Sequence, residues 1–161
     1  MTIIECVPNF SEGRRSDVAT AIVDAVRRSG SVRVLDFSSD ADHNRSVLTF
    51  AGVAPAVRAA VEALVAACIE RIDLRTHQGR HPRMGAVDVI PFIPVRGVTM
   101  AECVALARET VDRTEESTCP DASPPPMSQR GDAIIVSHRF GYSEAGPTGL
   151  DAPPEQAARR R

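Results

Sequence analysis

Tryptophan and lysine are both missing from this sequence of 161 residues, and aromatic side chains make up only 4% of it. A hydrophobic core must therefore consist mainly of valine, isoleucine, leucine and alanine. All 19 basic residues are arginine, and they nearly balance 21 acidic residues, for a net charge of −2. So small a charge gives no reason to expect nucleic acid or an anionic membrane as a partner, although guanidinium groups suit carboxylates and phosphates.

Long apolar runs and paired cysteines are also lacking. No segment approaches the roughly 20 apolar residues of a membrane span, and the first residues, MTIIECVPNF, lack the regions of a signal peptide. The cysteines are far apart and form no CxxC pair, which indicates reduced thiols; they are Cys6, Cys68, Cys103 and Cys119. We therefore expect a cytoplasmic protein of one-domain size.

The spacing of apolar residues alternates between strand and helix patterns. Strands are predicted at residues 2–7, 32–35, 46–50 and 86–95, with a loop at 9–13. Helices are predicted from 16 to 30, from 55 to 72, and from 99 to about 111. The order β-α-β-β-α-β, followed by a helix, predicts an α+β protein with a ferredoxin-like fold. Helices would cover one face of the sheet, and the other face would be open.

Local signals mark the ends of these elements. Ser16 is predicted to cap the first helix, Pro55 fits the first turn of the second, and Thr99 with Glu102 forms a capping box for the third. The short polar turn SSDADHNR, residues 38–45, favours an antiparallel hairpin.

The loop THQGRHPRMG, residues 76–85, carries two histidines before an almost uncharged strand. Pro82 holds His81 in extended geometry, and the neighbouring arginines suggest an anionic ligand. Histidine is the natural general base near neutral pH. If the order β-α-β-β-α-β holds, this loop converges with the turn at residues 40–45. There Asp40 or Asp42 could partner the imidazole. The residues alone thus predict an anion and acid–base site.

Two alternatives to that site stay open at this point. His77 and His81 are four residues apart, which on a helix could hold zinc or iron, with His43 or an aspartate as third ligand. Gly79 and Pro82 argue against a helix, and no carboxylate in the loop completes a site, so no metal is predicted. The other alternative is a solvated loop with incidental histidines.

Three motifs together resemble the N-terminal subdomain of glutamate formiminotransferase, which is also the transferase part of formiminotransferase-cyclodeaminase. They are ECVPNFSEGR at 5–14, DADHNRSVLTFAG at 40–52, and RTHQGRHPRMGAVDVIPFIPVRG at 75–97. The resemblance covers about residues 3–110. It implies a ferredoxin-like fold and transfer of a formimino group from N-formiminoglutamate to N5 of tetrahydrofolate, in histidine degradation and one-carbon metabolism. Tetrahydrofolate would be a co-substrate, and some relatives use N-formylglutamate.

The resemblance also implies roles for single residues. His81 matches the histidine proposed as the family's catalytic base, and one imidazole could take a proton from the folate amine and return one to the leaving glutamate nitrogen. Substrate contacts are expected from two sets of residues, the polar turn and its surroundings, namely Asp40, His43, Asn44, Arg45 and Asn9, and the long loop, namely His77 and Arg83. For Asp40 and Asn44 the alternative is a turn-capping role.

The resemblance weakens near Val111. We predict a formiminotransferase subdomain at 1–113 and a divergent, poorly ordered, proline-rich tail at 114–161, containing CPDASPPPMSQRG. Family enzymes have two such subdomains with folate between their sheets. A frameshifted tail, a standalone subdomain and one half of a split enzyme are the competing explanations. We expect a homodimer, or a partner that supplies the second subdomain, over the open face. The alternative function is a non-catalytic subdomain that binds folate or a partner.

Overall fold

The computed structural model describes residues 1–80, 85–118, 128–130 and 133–135 of the chain. These residues form, in order, β1 (Ile3–Cys6), β2 (Asn9–Phe10), α1 (Ser16–Arg28), β3 (Arg33–Asp40), β4 (Arg45–Gly52), α2 (Ala54–Arg71), β5 (Val87–Arg96), α3 (Met100–Thr118), β6 (Ser128–Arg130) and β7 (Ala133–Ile135). Every predicted helix and strand is present, and the protein is α+β as expected. The differences are at the ends of elements and in the predicted tail.

The sheet is antiparallel, and β1 and β2 follow one another along the same position, between β4 and β5. Both segments pair with β4 on one side and with β5 on the other. Pro8 separates them because it has no N–H to donate, although its carbonyl still accepts a hydrogen bond from Leu48 N at 3.0 Å. With β3 paired to β4, the order is β3, β4, β1 with β2, and β5. This arrangement is compatible with the predicted ferredoxin-like fold.

A single hydrophobic core lies on one face of the sheet. Along β4, Ser46, Leu48 and Phe50 are fully buried, and the residues between them are only half-buried. All three helices contribute to the same core cluster, for example through Ile22, Leu64 and Leu106. The opposite face carries the half-buried residues Val47, Val89 and Ile93, and Val95 is 56% exposed. Helix packing thus uses one face, and the other face positions the site.

The starts of α1 and α3 differ in their hydrogen bonds, because only α3 has a side-chain cap. Ser16 does not cap α1, because the helix already begins there and Arg15 at the cap position makes no side-chain hydrogen bond. Glu12 lies just before this helix, and its carboxylate accepts from the backbone N–H groups of Arg14 at 2.9 Å and Arg15 at 2.8 Å, so it orders the residues that lead into α1. The capping box of α3 is confirmed, since Thr99 N donates to Glu102 at 2.7 Å and Glu102 N donates to Thr99 at 3.3 Å.

Some predicted boundaries are wrong. Asn9 and Phe10 belong to a strand, not a loop, because both neighbouring strands pair with them. β3 continues through Asp40, so the hairpin turn is shorter than the polar run suggested. α3 runs past residue 111 to Thr118. Buried Thr114 lies in this extra stretch, and its hydroxyl is satisfied within the helix by donating to the carbonyl of Thr110 at 2.7 Å.

The described part of the predicted tail is not featureless. Residues 114–118 continue α3, so the predicted division at 113/114 falls inside a helix. β6 and β7 form a hairpin beside β5, with Ile134 opposite Ile90. The prediction of a poorly ordered tail made no provision for this hairpin, and the rest of the tail lies outside the described residues. Among the helices of the described ranges, none is long and apolar enough to cross a membrane.

Candidate functional site

A polar cleft of about 600 Å³ lies where the β3–β4 hairpin ends, on the face of the sheet away from the helices. It is lined by Asn9, Ser38, Ser39, Asp40, His43, Arg45 and Val47. The strand period explains the lining, because Arg45 and Val47 alternate with core residues of β4 and so point to the other face. Asn9, Asp40, His43 and Arg45 were all predicted as site residues, and the cleft brings them together.

Asp40 and His43 form an exposed pair at the rim of this cleft. Asp40 accepts from the backbone N–H of His43 at 2.8 Å, and its other oxygen lies 2.9 Å from His43 Nδ1. The backbone hydrogen bond, followed by the ring, holds the pKa of Asp40 below its usual value. Both side chains are about half exposed. The pair combines a turn-capping contact with a carboxylate–imidazole couple that solvent can reach.

Arg45 forms the floor of the cleft and is held from two sides. Its Nε donates to Asn9 Oδ1 at 3.2 Å, and its Nη1 lies 3.5 Å from Asp88 Oδ2. Asp88 is buried on β5, and its other oxygen accepts from Gly85 N at 3.4 Å. The guanidinium is therefore a positioned cation at the base of a polar cleft, a geometry suited to a carboxylate ligand.

A second polar cluster lies on the opposite side of the same turn. Asn44 takes the left-handed conformation, with φ of 51°, and is 8% exposed. Its Oδ1 accepts from Gly13 N at 2.9 Å, and its Nδ2 lies 2.9 Å from Gln78 O and 3.2 Å from His77 Nδ1. His77 Nε2 in turn lies 2.8 Å from Ser11 O. Asn44, His77 and Gln78 border a groove of about 290 Å³, which is also lined by Glu12, Arg14 and Asp73.

Two glycines allow the loops to approach the hairpin turn this closely. A Cβ on Gly79 would lie inside 3.0 Å of the carbonyl oxygen of His43, and a Cβ on Gly13 would meet the backbone of Asp40 and Arg45 at similarly short range. Arg14 Nε donates to Ala41 O at 2.7 Å, and Arg80 N donates to Asp42 O at 3.2 Å. The long loop and the turn at residues 40–45, which were expected to converge if the order β-α-β-β-α-β held, thus lie together.

The predicted site residues divide into three groups. Asn9, Asp40, His43 and Arg45 line the cleft, whereas Asn44 and His77 bind other parts of the chain. His81 and Arg83 lie outside the described residues, so their predicted roles stay predictions. The neighbouring histidines do not gather a metal set in the described ranges, where no group of three or more His, Cys, Asp or Glu side chains could hold an ion.

Some residues of the site escaped the sequence reasoning. Asp88 carried a signal, because it is a lone carboxylate within the apolar run AVDVIPF. Gly13 and Gly79 looked like ordinary loop glycines, and their need for close approach depends on contacts with the distant hairpin. Ser11, which is 2% exposed, acts through its backbone carbonyl and its hydroxyl, which donates to Gly85 O at 2.8 Å.

Comparison with known families decides the relationship. The model of the formiminotransferase domain, N-terminal subdomain, matches residues 3–123. The chain belongs to this family. The match confirms the resemblance that the three motifs suggested and extends past the end of α3, to residue 123.

Characterised relatives carry matching names. The chain is 44% identical over 111 residues to glutamate formimidoyltransferase of Streptococcus pyogenes, covering 69% of this chain and 37% of the relative. It is 42% identical over 149 residues to glutamate formimidoyltransferase of Thermoplasma acidophilum, covering 89% and 49%. It is 41% identical over 154 residues to formimidoyltransferase-cyclodeaminase of Rattus norvegicus, covering 92% and 28%. The matched part of the chain thus spans less than half the length of each of these relatives.

Proposed function

We propose that this chain supplies the N-terminal half of a glutamate formimidoyltransferase site, which transfers a formimino group from N-formiminoglutamate to N5 of tetrahydrofolate. The observation that carries the proposal is the cleft on the helix-free face, in a chain whose relatives are named for this transfer. The reaction would belong to histidine degradation and one-carbon metabolism in the cytoplasm. Cys6, Cys68 and Cys103 are buried and form no disulfide, which accords with a reducing compartment.

The proposed chemistry needs positioned charge and one proton shuttle. Arg45 would bind a carboxylate of the donor, and Asn9 would hold the guanidinium in the orientation that the carboxylate requires. Asp40 and His43 would contact the polar part of the substrate at the rim. His81 would accept the proton that the folate amine loses as its nitrogen attacks the amidine carbon, and would return a proton to the leaving glutamate nitrogen. Arg83 would bind a further carboxylate of donor or folate.

A second protein surface would complete the site. The face that bears the cleft carries half-buried Val47, Val89 and Ile93 beside polar residues, an unusual composition for a surface that meets only water. We propose that a second subdomain, or a second copy of this chain, covers it and encloses the folate. The same surface supports the alternative function, a non-catalytic subdomain that binds folate or a partner through this face.

The test is a transfer assay on the purified chain with N-formiminoglutamate and tetrahydrofolate, run beside calorimetric binding of each ligand. Turnover by the chain that is lost in His81→Ala, at unchanged thermal stability, would support transfer and the role of His81. Replacing Arg45 by Gln should raise the KM or Kd for the donor about tenfold, because one charge-assisted carboxylate contact is lost. Arg33→Gln, on the same hairpin but outside the cleft, is the matched control.

Two other outcomes separate the alternatives. Folate binding without turnover would favour the binding subdomain, and turnover that appears only with an added C-terminal half would favour a shared site. Absence of both binding and turnover, alone and with that half, would reject the proposed function.

A further inference from the structure

We propose that His77 is a positioning residue, which joins the three loops beside the cleft and thereby fixes the start of the segment that carries His81. We call Asn44 and His77, with the backbone groups of Ser11, Gly13 and Gln78 that they bind, the clamp. Its effect on turnover rests on the proposed function, but its geometry can be tested without any activity. His77 was expected to contact substrate, and the clamp assigns its ring nitrogens a different use.

The hydrogen bonds determine the orientation of the Asn44 amide. Gly13 N–H can only donate, so the atom facing it at 2.9 Å must be the Asn44 oxygen. Gln78 C=O can only accept, so the atom facing it at 2.9 Å must be the Asn44 nitrogen. The amide cannot be turned over without setting donor against donor and acceptor against acceptor.

The same logic determines the state of the His77 ring. Ser11 C=O accepts, so His77 Nε2 must carry a hydrogen. Asn44 Nδ2 donates, so His77 Nδ1, at 3.2 Å, must accept with its lone pair. The ring is therefore a neutral imidazole with its hydrogen on Nε2. Both nitrogens have partners within the protein, which leaves neither as the natural contact for a substrate.

The clamp connects parts of the chain that are far apart in sequence. Ser11 and Gly13 follow β2, Asn44 is in the hairpin turn that carries Asp40 and His43, and His77 and Gln78 belong to the long loop. Gly79 packs directly on the turn, and Arg80 N donates to Asp42 O at 3.2 Å. Arg80 is the residue before His81, so the clamp holds the point from which the segment proposed to carry the base departs.

The ring state can be measured directly by nitrogen NMR of the full chain labelled with ¹⁵N-histidine. The expected result is that the His77 signals are those of a neutral ring with hydrogen on Nε2. In Asn44→Asp the donor facing Nδ1 becomes a carboxylate oxygen, so the ring is expected to take a second proton and show the imidazolium pattern. A wild-type ring with hydrogen on Nδ1, or a ring state unchanged by Asn44→Asp, would overturn the clamp.

Amide hydrogen exchange tests whether the clamp joins the loops. In His77→Leu we expect the amides of Gly13 and Arg80 to exchange about tenfold faster, while the amide of Leu48, bonded to Pro8 in the sheet, keeps its rate. Gln78→Ala is the matched control, because the clamp uses the carbonyl of this exposed residue and not its side chain. Equal exchange at Gly13 and Arg80 in wild type and His77→Leu would contradict the proposal.

Turnover then tests the positioning role. His77→Leu should lower kcat at least about tenfold and change KM less than about threefold, because the base is misplaced while the cleft residues remain. His77→Gln, which keeps a donor towards Ser11, should recover part of kcat. A His77→Leu variant with normal kcat would overturn the positioning role. If the wild type shows no transfer at all, the proposed function fails, and the NMR and exchange results still decide the clamp.

Discussion

The two sides of the β3–β4 turn use the same residue type for opposite purposes. On one side, His43 is half exposed and bonds to the equally exposed Asp40, at the rim of an open cleft. On the other side, His77 is partly buried, and each of its ring nitrogens faces another part of the chain. The comparison shows that a histidine in a family motif can either stand half exposed at the rim of a cleft or bind other parts of the chain.

The two sides of the turn also differ in the groups that build them, which are backbone groups on the clamp side and side chains on the cleft side. In the clamp, the side chains of Asn44 and His77 bind backbone groups. Beside them, Gly13 and Gly79 lie too close to the turn for a side chain, so this side of the turn has little freedom. The cleft is built on side chains, whose positions depend on each other through contacts such as those of Asp40 with His43 and of Arg45 with Asn9. Changes on the clamp side should therefore affect stability and local order, and changes on the cleft side should affect binding.

The largest effect should come from Gly79→Ala, which would break the clamp side. The added methyl group would meet the backbone carbonyl of His43, so the loop must leave the turn; we expect a loss of about 3 kcal/mol in the free energy of unfolding. Urea denaturation measures it. Gly52→Ala is the control, because its methyl group would meet mainly a valine side chain at 3.1 Å. Equal losses in both variants would show that the close approach is not required.

A smaller effect is expected beneath the cleft, from Asp88→Leu. Removing this buried carboxylate leaves Arg45, whose side chain is only 18% exposed, without a charge partner on β5. We expect a loss of about 2 kcal/mol, less than for a fully buried pair because solvent still reaches the guanidinium. The double variant with Arg45→Leu should recover part of this loss. A double variant as unstable as the sum of the single variants would argue against coupling between the two residues.

The smallest effect concerns the rim and depends on pH. The pKa of Asp40 is held below its usual 3.8 by the His43 backbone N–H, so the ionised carboxylate favours the folded state. This contribution is present above pH 3.8 and is lost as pH falls through the lower pKa of the folded state. Thermal unfolding should therefore separate wild type from Asp40→Asn at neutral pH, and the difference should shrink as pH falls below 3.8. Asp36→Asn, exposed on the same strand, is the control.

Much of the fold could be predicted because local patterns agree with the final contacts. The alternation of Leu48 and Phe50 with polar residues predicted β4, and the Thr99 and Glu102 pair predicted the start of α3. The errors arose where a contact with a residue distant in sequence determines the local structure. Pairing with β4 and with β5, both distant in sequence, places Asn9 and Phe10 in the strand β2 rather than in a loop.

The site was predictable to a different degree. The motifs identified most of the cleft residues, since polar side chains at strand ends are visible in the sequence. They could not divide the predicted site residues into cleft-lining and clamp-forming groups, because that division depends on hydrogen bonds between loops about 30 and 65 residues apart. The sequence shows that Asp88 lies in a strand, but it does not show that Asp88 pairs with Arg45.

The shared strand position of β1 and β2 has a consequence for how the chain acquires its fold. Cys6 lies opposite both Phe50 and Phe92, so β1 finds its second neighbouring strand only after β5 has been made. Until then at least one edge of this apolar strand is unpaired, and such non-local pairing slows folding and invites association between chains. Pro8 interrupts the segment and shortens the edge that a foreign strand could join. The proline that divides one strand into two thus also protects the nascent chain.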